Sequence, residues 1–280
     1  MILAIDCGNT NTVFALYTTN KEIKQLSSWR INNDSKRTAD LYFPWLLKMF
    51  EISKFEIKNV KGVSIASVVP ETLVNIKSLI NKYFNVKSLV VNENILDLGI
   101  NVNIDNPKEA GADRLVNSYA ADKLKISPAI IIDFGTATTF DIVGKNGSYN
   151  GGIIAPGVNL SLEALYLATA NLPKVSLRTL EDTNSSIIGK NTVSAMESGI
   201  FWGYVSMIEG LIEKIKSVDK YSNYKVVATG GLCNLFKKSL NNIDLIVDDL
   251  TLIGLVKLYL KTCFDGIISI ENSVLVDVIL

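Results

Sequence analysis

The sequence predicts an α/β protein built from two copies of a mixed-sheet domain, and three observations carry that prediction. Residues 2–10 (ILAIDCGNT) and 130–138 (IIIDFGTAT) share one punctuation: an apolar β-branched run, an Asp, a spacer, a Gly, then small hydroxyl or amide residues. Asp6 and Asp133 lie 127 positions apart, an ordinary domain length. After each Asp the chain runs through short strands and then alternates helices with strands. The expected domains are residues 1–117 and 118–280.

In the first half, 2–6 reads as a strand, and TNTVFALYTT and EIKQLSSWRI as two more that form a hairpin pair. RTADLYFPWLLKMF has helical spacing, with a kink expected at Pro44. KGVSIASVV reads as a buried strand, and Pro70 suits the first position of a helix over 70–84, where a missing N–H costs little. NVKSLVVN returns as a strand. Asn106, Pro107 and Glu109 combine a cap, a first-turn Pro and an acid, which predicts one helix from there to about Lys125. Asp113 then falls about two turns in, where the helix dipole favours its ionised form.

The second half restarts at Ala129 with three short strands, AIIIDFG, TTFDIVG and GSYNGGIIA, separated by Gly and Asn-Gly turns. Helices follow at about 157–169 and 191–218. Strand YKVVATG, helix 231–240, strand IDLIVD and helix 250–264 complete the pattern. LPKVSLRTLEDTNSS (172–186) reads as a polar loop, and the last segment, GIISIENSVLVDVIL, as an added hairpin or an edge strand.

Composition removes several functions. The 280 residues carry 28 basic and 28 acidic side chains, so no net charge marks a nucleic acid or anionic membrane partner. No stretch approaches the ~20 apolar residues of a membrane span. An N-terminus without a basic region predicts no signal peptide, and the scattered Cys7, Cys233 and Cys263 point to a reducing cytoplasm. There is no histidine, which rules out Ser-His, Cys-His and His-metal chemistry. Proton transfer must fall to carboxylates, Lys, Tyr or water.

The twin loops suit phosphate handling. Gly8 lets the backbone approach a polyphosphate without a Cβ in the way, and the N–H groups of residues 8–11 can form an anion-binding concavity. Asn9, Thr10, Asn11 and Thr12 add neutral donors. Asp6 reads as a ligand of Mg²⁺ or its waters, since a carboxylate repels phosphate. The alternative is a tight hairpin in which Asp satisfies backbone amides. IDFGTATTFDI repeats the design, and VVATGGLCNLF sets Gly230 and Gly231 between a strand and a helix, where backbone can lie flat against an adenosine. A Walker loop is absent: IIGKNT has Gly-Lys, but Asn191 stands where Ser or Thr belongs. The trio of loops resembles the superfamily of acetate and sugar kinases, Hsp70 and actin, whose members bind ATP in a cleft between duplicated ribonuclease-H-like domains.

NPKEAGADRLVNSYAA (106–121) is the most specific stretch. An Asp such as Asp113 near a γ-phosphate can orient and deprotonate a substrate hydroxyl, and Arg114 offers a forked cation for a carboxylate or phosphate. The alternative is an exposed, charged helix start. Taken in order, DCGNTNTVFAL, NPKEAGADR, IDFGTATTFD, GGIIAPG and NTVSAMESGIFWGY resemble the type III pantothenate kinases, as does DDLTLIGL at 248–255.

That resemblance implies ATP-dependent phosphorylation of the primary hydroxyl of pantothenate, the first step towards coenzyme A. It implies ATP phosphates held by Asp6, Cys7, Gly8, Asn9, Thr10, Asn11, Thr12 and Val13, with Thr136 also on ATP. It implies a pantothenate site from Gly111, Ala112, Asp113, Arg114 and Thr192, with Asp113 as proton acceptor. Asp133 would bind a monovalent cation, K⁺ or NH₄⁺, and the protein would be a homodimer. One departure stands out: Ile104 occupies a position where the family commonly has Tyr. Two other readings remain open, a non-catalytic relative acting in transcriptional regulation and a kinase of another small alcohol.

Overall fold

The computed structural model describes residues 1–18, 22–91, 99–169, 172–175 and 187–262. They form two compact units. Of the described residues, one unit contains those within Met1–Ile100, Asn106–Lys123 and 251–262, and the other those within Asn101–Asp105 and Leu124–Leu250.

In the first unit, β1 (Ile2–Cys7), β2 (Asn11–Thr18), β3 (Lys24–Asn32), β4 (Gly62–Ser67) and β5 (Ser88–Val90) make one sheet in the order β3-β2-β1-β4-β5. The first three strands form an antiparallel meander, and β4 and β5 join it in parallel. β1 and β4 are nearly continuous apolar or small runs because both faces are covered, whereas edge strand β3 is mostly exposed or partly buried. Helix α1 (Ala39–Ile52) turns Ala39, Tyr42, Leu46 and Phe50 inward at helical spacing. It runs through Pro44 as one element. Helix α2 (Pro70–Tyr83) begins at its proline, as expected. Leu3, Ile5, Phe14, Leu46, Ile65 and Ile76 share this core, each worth about 1.5–3 kcal/mol on burial.

The second unit repeats the design. β6 (Ala129–Phe134), β7 (Ala137–Val143), β8 (Tyr149–Pro156), β9 (Lys225–Thr229) and β10 (Leu245–Ile246) lie in the order β10-β9-β6-β7-β8, with the same antiparallel and parallel pairings. The β7–β8 hairpin turns through Asn146 and Gly147 at φ of 59° and 71°, as the Asn-Gly pair predicts. Helices α4 (Val158–Leu167) and α5 (Thr192–Lys216) pack against one another. Phe236, from the short helix α6 (Cys233–Phe236), gathers the rings of Phe134, Phe201 and Tyr204.

Three sequence expectations change. Asn106 caps a separate 3-10 turn at Pro107–Glu109, and extended Ala110 interrupts the chain before helix α3 (Ala112–Lys123). Asp113 therefore lies in the first turn of its helix rather than two turns in. The helix expected over 231–240 shrinks to α6, because only Cys233, Phe236 and Leu240 are buried there, too few anchors for a longer helix. The strand expected over IDLIVD pairs only at Leu245 and Ile246. Residues 250–262 are helical (α7), as expected. Most of 172–186, and the final segment with Cys263, lie outside the described residues.

Candidate active site

Asp6 is the fifth residue of six-residue β1, opposite Val13 on β2 and beside Ala66 on β4. Beyond it the chain turns at Gly8, whose N–H donates to Asn11 O at 2.9 Å. Asn9 and Thr10 are exposed at the tip, Asn11 and Val13 are partly buried, and Cys7 and Thr12 face the core. Burial first, and then the charge of Asp6, pushes the Cys7 thiol up to about 12, so it remains a neutral packing group. Asn33, which no motif in the sequence marks, ties the loop down. Its N–H donates to Thr10 O (2.7 Å), its Nδ2 donates to Gly8 O (2.9 Å), and its Oδ1 accepts from Thr72 Oγ1 (2.7 Å).

The second unit has the counterpart. Asp133 is likewise the fifth of six residues in β6, opposite Thr139 and beside Thr229, with the same burial pattern along the strand as β1. Gly135 N–H donates to Ala137 O at 3.1 Å, so this loop is one residue shorter, and Gly135 and Thr136 are exposed. Gly157 donates its N–H to Thr136 O (3.1 Å), and a β-carbon there would sit 2.3 Å from that oxygen. Gly230, at φ +93°, approaches so closely that a β-carbon would lie 2.4 Å from Asp133 Oδ1. The Gly-Gly junction read as an adenosine loop thus abuts the strand end that carries Asp133. Below it, Cys233 Sγ (3.2 Å) and Asn234 Nδ2 (2.9 Å) both donate to Asp248 Oδ1. Tyr204 hydrogen-bonds the buried Thr138 hydroxyl next to the loop, a contact the sequence did not signal.

The GADR stretch occupies the start of α3, which packs on β4. Ala112 is buried, while Gly111, Asp113 and Arg114 are partly buried. Asp113 Oδ1 accepts from the Arg114 N–H (2.9 Å), and a β-carbon on Gly111 would stand 2.5 Å from that oxygen. Burial raises the Asp113 carboxyl above its ordinary value, outweighing the Arg114 N–H and the Arg114 charge, which pull it down. The helix start alone predicts the opposite direction; desolvation decides it. A carboxylate made more basic in this way suits proton acceptance.

Thr192 is exposed at the first turn of α5. Asn191 caps the helix: its Oδ1 accepts from Ser194 N (3.0 Å), and its own N–H donates to Ser194 Oγ (3.2 Å). Thr192 lines an apolar pocket of about 640 Å³ with Leu165, Leu172, Met196 and Ile200. Asp6 and Asp113 belong to the first unit; Asp133, Thr136 and Thr192 belong to the second.

Two sheets of one topology, each with an Asp one residue before the end of its first strand and a Gly turn after it, define the duplicated ribonuclease-H-like fold of actin, Hsp70 and the sugar kinases. Solved structures agree. A Campylobacter jejuni protein assigned to the Baf family of transcriptional activators matches with a TM-score of 0.53 at 18% identity, over 93% of this chain and 98% of its own. The activator of 2-hydroxyisocaproyl-CoA dehydratase from Clostridium difficile, solved with bound ADPNP, matches with a TM-score of 0.51 at 13% identity, over 97% of each chain. Sequence narrows the class further. The type III pantothenate kinase family profile matches residues 2–214. Type III pantothenate kinases from Caulobacter vibrioides (46% identical, 92% of this chain, 97% of the relative) and Rhodospirillum rubrum (48%, 91% and 96%) align nearly end to end. The chain belongs to the type III pantothenate kinase family. No helix among the described residues is long and apolar enough to cross a membrane.

Proposed function

We propose that this protein transfers the γ-phosphoryl group of ATP to the primary hydroxyl of pantothenate, giving 4'-phosphopantothenate for coenzyme A synthesis. The observation that carries this reading is family membership across nearly the whole chain, joined to intact Asp6, Asp113 and Asp133. The loop from Asp6 to Val13 and Thr136 hold the phosphates of ATP. Gly111, Ala112, Asp113, Arg114 and Thr192 bind pantothenate. Asp113, kept basic by burial, orients the hydroxyl and takes its proton as the P–O bond forms. Arg114 supplies a cation for the substrate's carboxylate.

The residues suit the implied ions. Mg²⁺ usually keeps several waters and needs one or two carboxylates beside the phosphates, which Asp6 satisfies without a cluster. No group of three or more acidic or cysteine side chains capable of holding a metal occurs among the described residues. A monovalent cation, K⁺ or NH₄⁺, suits Asp133, whose Oδ1 adjoins the space where Gly230 has no side chain. When bound, these cations neutralise charge on the phosphates and on the Asp133 side.

The protein acts as a homodimer in the cytoplasm. Leu160, Leu167, Ile187, Ile188 and Val193, on α4 and around the start of α5, are 41–71% exposed, an apolar surface that a second copy would cover. Light scattering tests this, and a mass near one chain would overturn it.

The function is tested by ADP release from purified protein with ATP, Mg²⁺ and pantothenate, first in K⁺ and then in Na⁺, with mass spectrometry of the product. Pantothenate-dependent release that requires K⁺ is expected. Folded protein inactive in both salts would overturn the reading.

A further inference from the structure

The two loops are anchored at matching points by opposite means. The residue just after the third strand, Asn33 beyond β3 and Gly157 beyond β8, donates its N–H to the last loop residue, Thr10 or Thr136. In the second unit nothing larger than glycine fits, since a β-carbon on Gly157 would meet the carbonyls of both Thr136 and Gly135 (2.3 and 2.7 Å). In the first unit the loop is one residue longer, and the Asn33 side chain bridges to Gly8 O. Two of that loop's carbonyls, those of Gly8 and Thr10, are therefore held by one residue. Thr72, a buried residue on α2, holds the Asn33 amide in turn. Because Thr72 can donate its hydroxyl proton to Oδ1, Nδ2 is left to face Gly8 O.

The consequence follows from the planarity of the peptide bond. Across a trans peptide, C=O and N–H point in opposite directions. Drawing Gly8 O toward Asn33 turns the Asn9 N–H away from it, at the exposed tip of the loop. An amide fixed in this way is a donor already oriented for an anion, with less ordering left to do on binding.

We infer that Asn33, braced by Thr72, is a positioning residue that fixes the first phosphate loop in its anion-binding shape. This rests on the reading that the loop holds the phosphates of ATP.

The test measures ATP, ADP and adenosine binding by calorimetry, together with steady-state kinetics, for Asn33→Ala, Asn33→Asp, Thr72→Val and Thr72→Ser. Asn33→Asp keeps the acceptor for Thr72 but loses the donor to Gly8 O. Thr72→Ser keeps the hydroxyl that Thr72→Val removes. The expected result is ATP and ADP affinity weakened about tenfold in Asn33→Ala, Asn33→Asp and Thr72→Val. Adenosine affinity should be unchanged, the KM for ATP should rise with little change in kcat, and Thr72→Ser should restore the wild-type value. Melting curves show which variants fold, and Thr72→Ser and Asn33→Asp remain informative should Asn33→Ala not fold. Equal weakening of adenosine and ATP, or no weakening in folded variants, overturns the inference. All titrations contain Mg²⁺, and Asp6→Asn, which removes the carboxylate read as the Mg²⁺ ligand, serves as the control. If it leaves ATP affinity unchanged, the phosphate-loop reading itself fails, and the inference with it; if it weakens ATP while the Asn33 variants do not, only the inference fails.

Discussion

Gly230 stands against Asp133 so closely that a β-carbon on the glycine would lie 2.4 Å from the carboxylate oxygen Oδ1 and 2.7 Å from Phe134 N. Its φ of +93° is also one that side-chain-bearing residues rarely adopt. Gly230→Ala should therefore cost about 2–4 kcal/mol of stability, from backbone strain and overpacking together. If Asp133 holds the monovalent cation as proposed, the variant should also bind K⁺ more weakly, because Asp133 is displaced. Chemical denaturation and a K⁺ titration check this; a wild-type midpoint would refute it.

Asp113 is held above the ordinary carboxylate range by burial. Its folded-state pKa exceeds its unfolded value of about 3.9, so the stability it contributes is present at low pH and lost as pH rises through the folded value. Asp113→Asn should thus melt higher than wild type at neutral pH, and the gap should close as pH falls. The same variant should lose turnover by about 100-fold or more while still binding ATP. Wild-type kcat/KM should rise with pH along a limb displaced upward from an ordinary carboxylate. Melting and rate profiles across pH read both signs.

Gly111 makes room for that carboxylate, since a β-carbon would lie 2.5 Å from Asp113 Oδ1. Gly111→Ala should leave the fold intact, because the obstructing atom belongs to a side chain that can rotate, yet lower kcat about tenfold or more through misplacement. Circular dichroism with steady-state kinetics separates the two effects.

Thr251 Oγ1, on α7, donates to the buried Oδ1 of Asn117 (2.8 Å), one turn along α3 from Asp113. Removing the donor breaks this buried hydrogen bond, so Thr251→Val should destabilise by about 0.5–1.5 kcal/mol. Urea unfolding measures it, and Thr251→Ser should recover most of the loss.

Cys7 and Cys233 are buried, with thiols pushed up to about 12, chiefly by burial. Neither should react with a thiol reagent at pH 8 in native protein, and both should react in denaturant. Peptide mapping after alkylation reads each site.

Much of the architecture was legible because each half writes its strands as apolar runs and breaks them with the same Asp and Gly. The meander, the Asn146-Gly147 hairpin and the Pro70 helix start are all local events, governed by turn chemistry and period. α6 and β10 came out shorter than expected because their lengths depend on burial against distant residues, which a window of sequence does not contain. The start of α3 differs from the local signal for a related reason: Asn106, Pro107 and Glu109 do form a capped turn, but extended Ala110 ends it.

The sequence by itself determined the duplicated α/β class, the absence of histidine chemistry, the family and the carboxylates at the two strand ends. Tertiary structure alone decided what surrounds them. Asn33, Thr72, Gly157 and Gly230 reach the loops from other elements, and their roles rest on distances that no spacing along the chain encodes. It also decided the direction of the Asp113 shift, because desolvation depends on everything packed around a group and not on its neighbours in sequence.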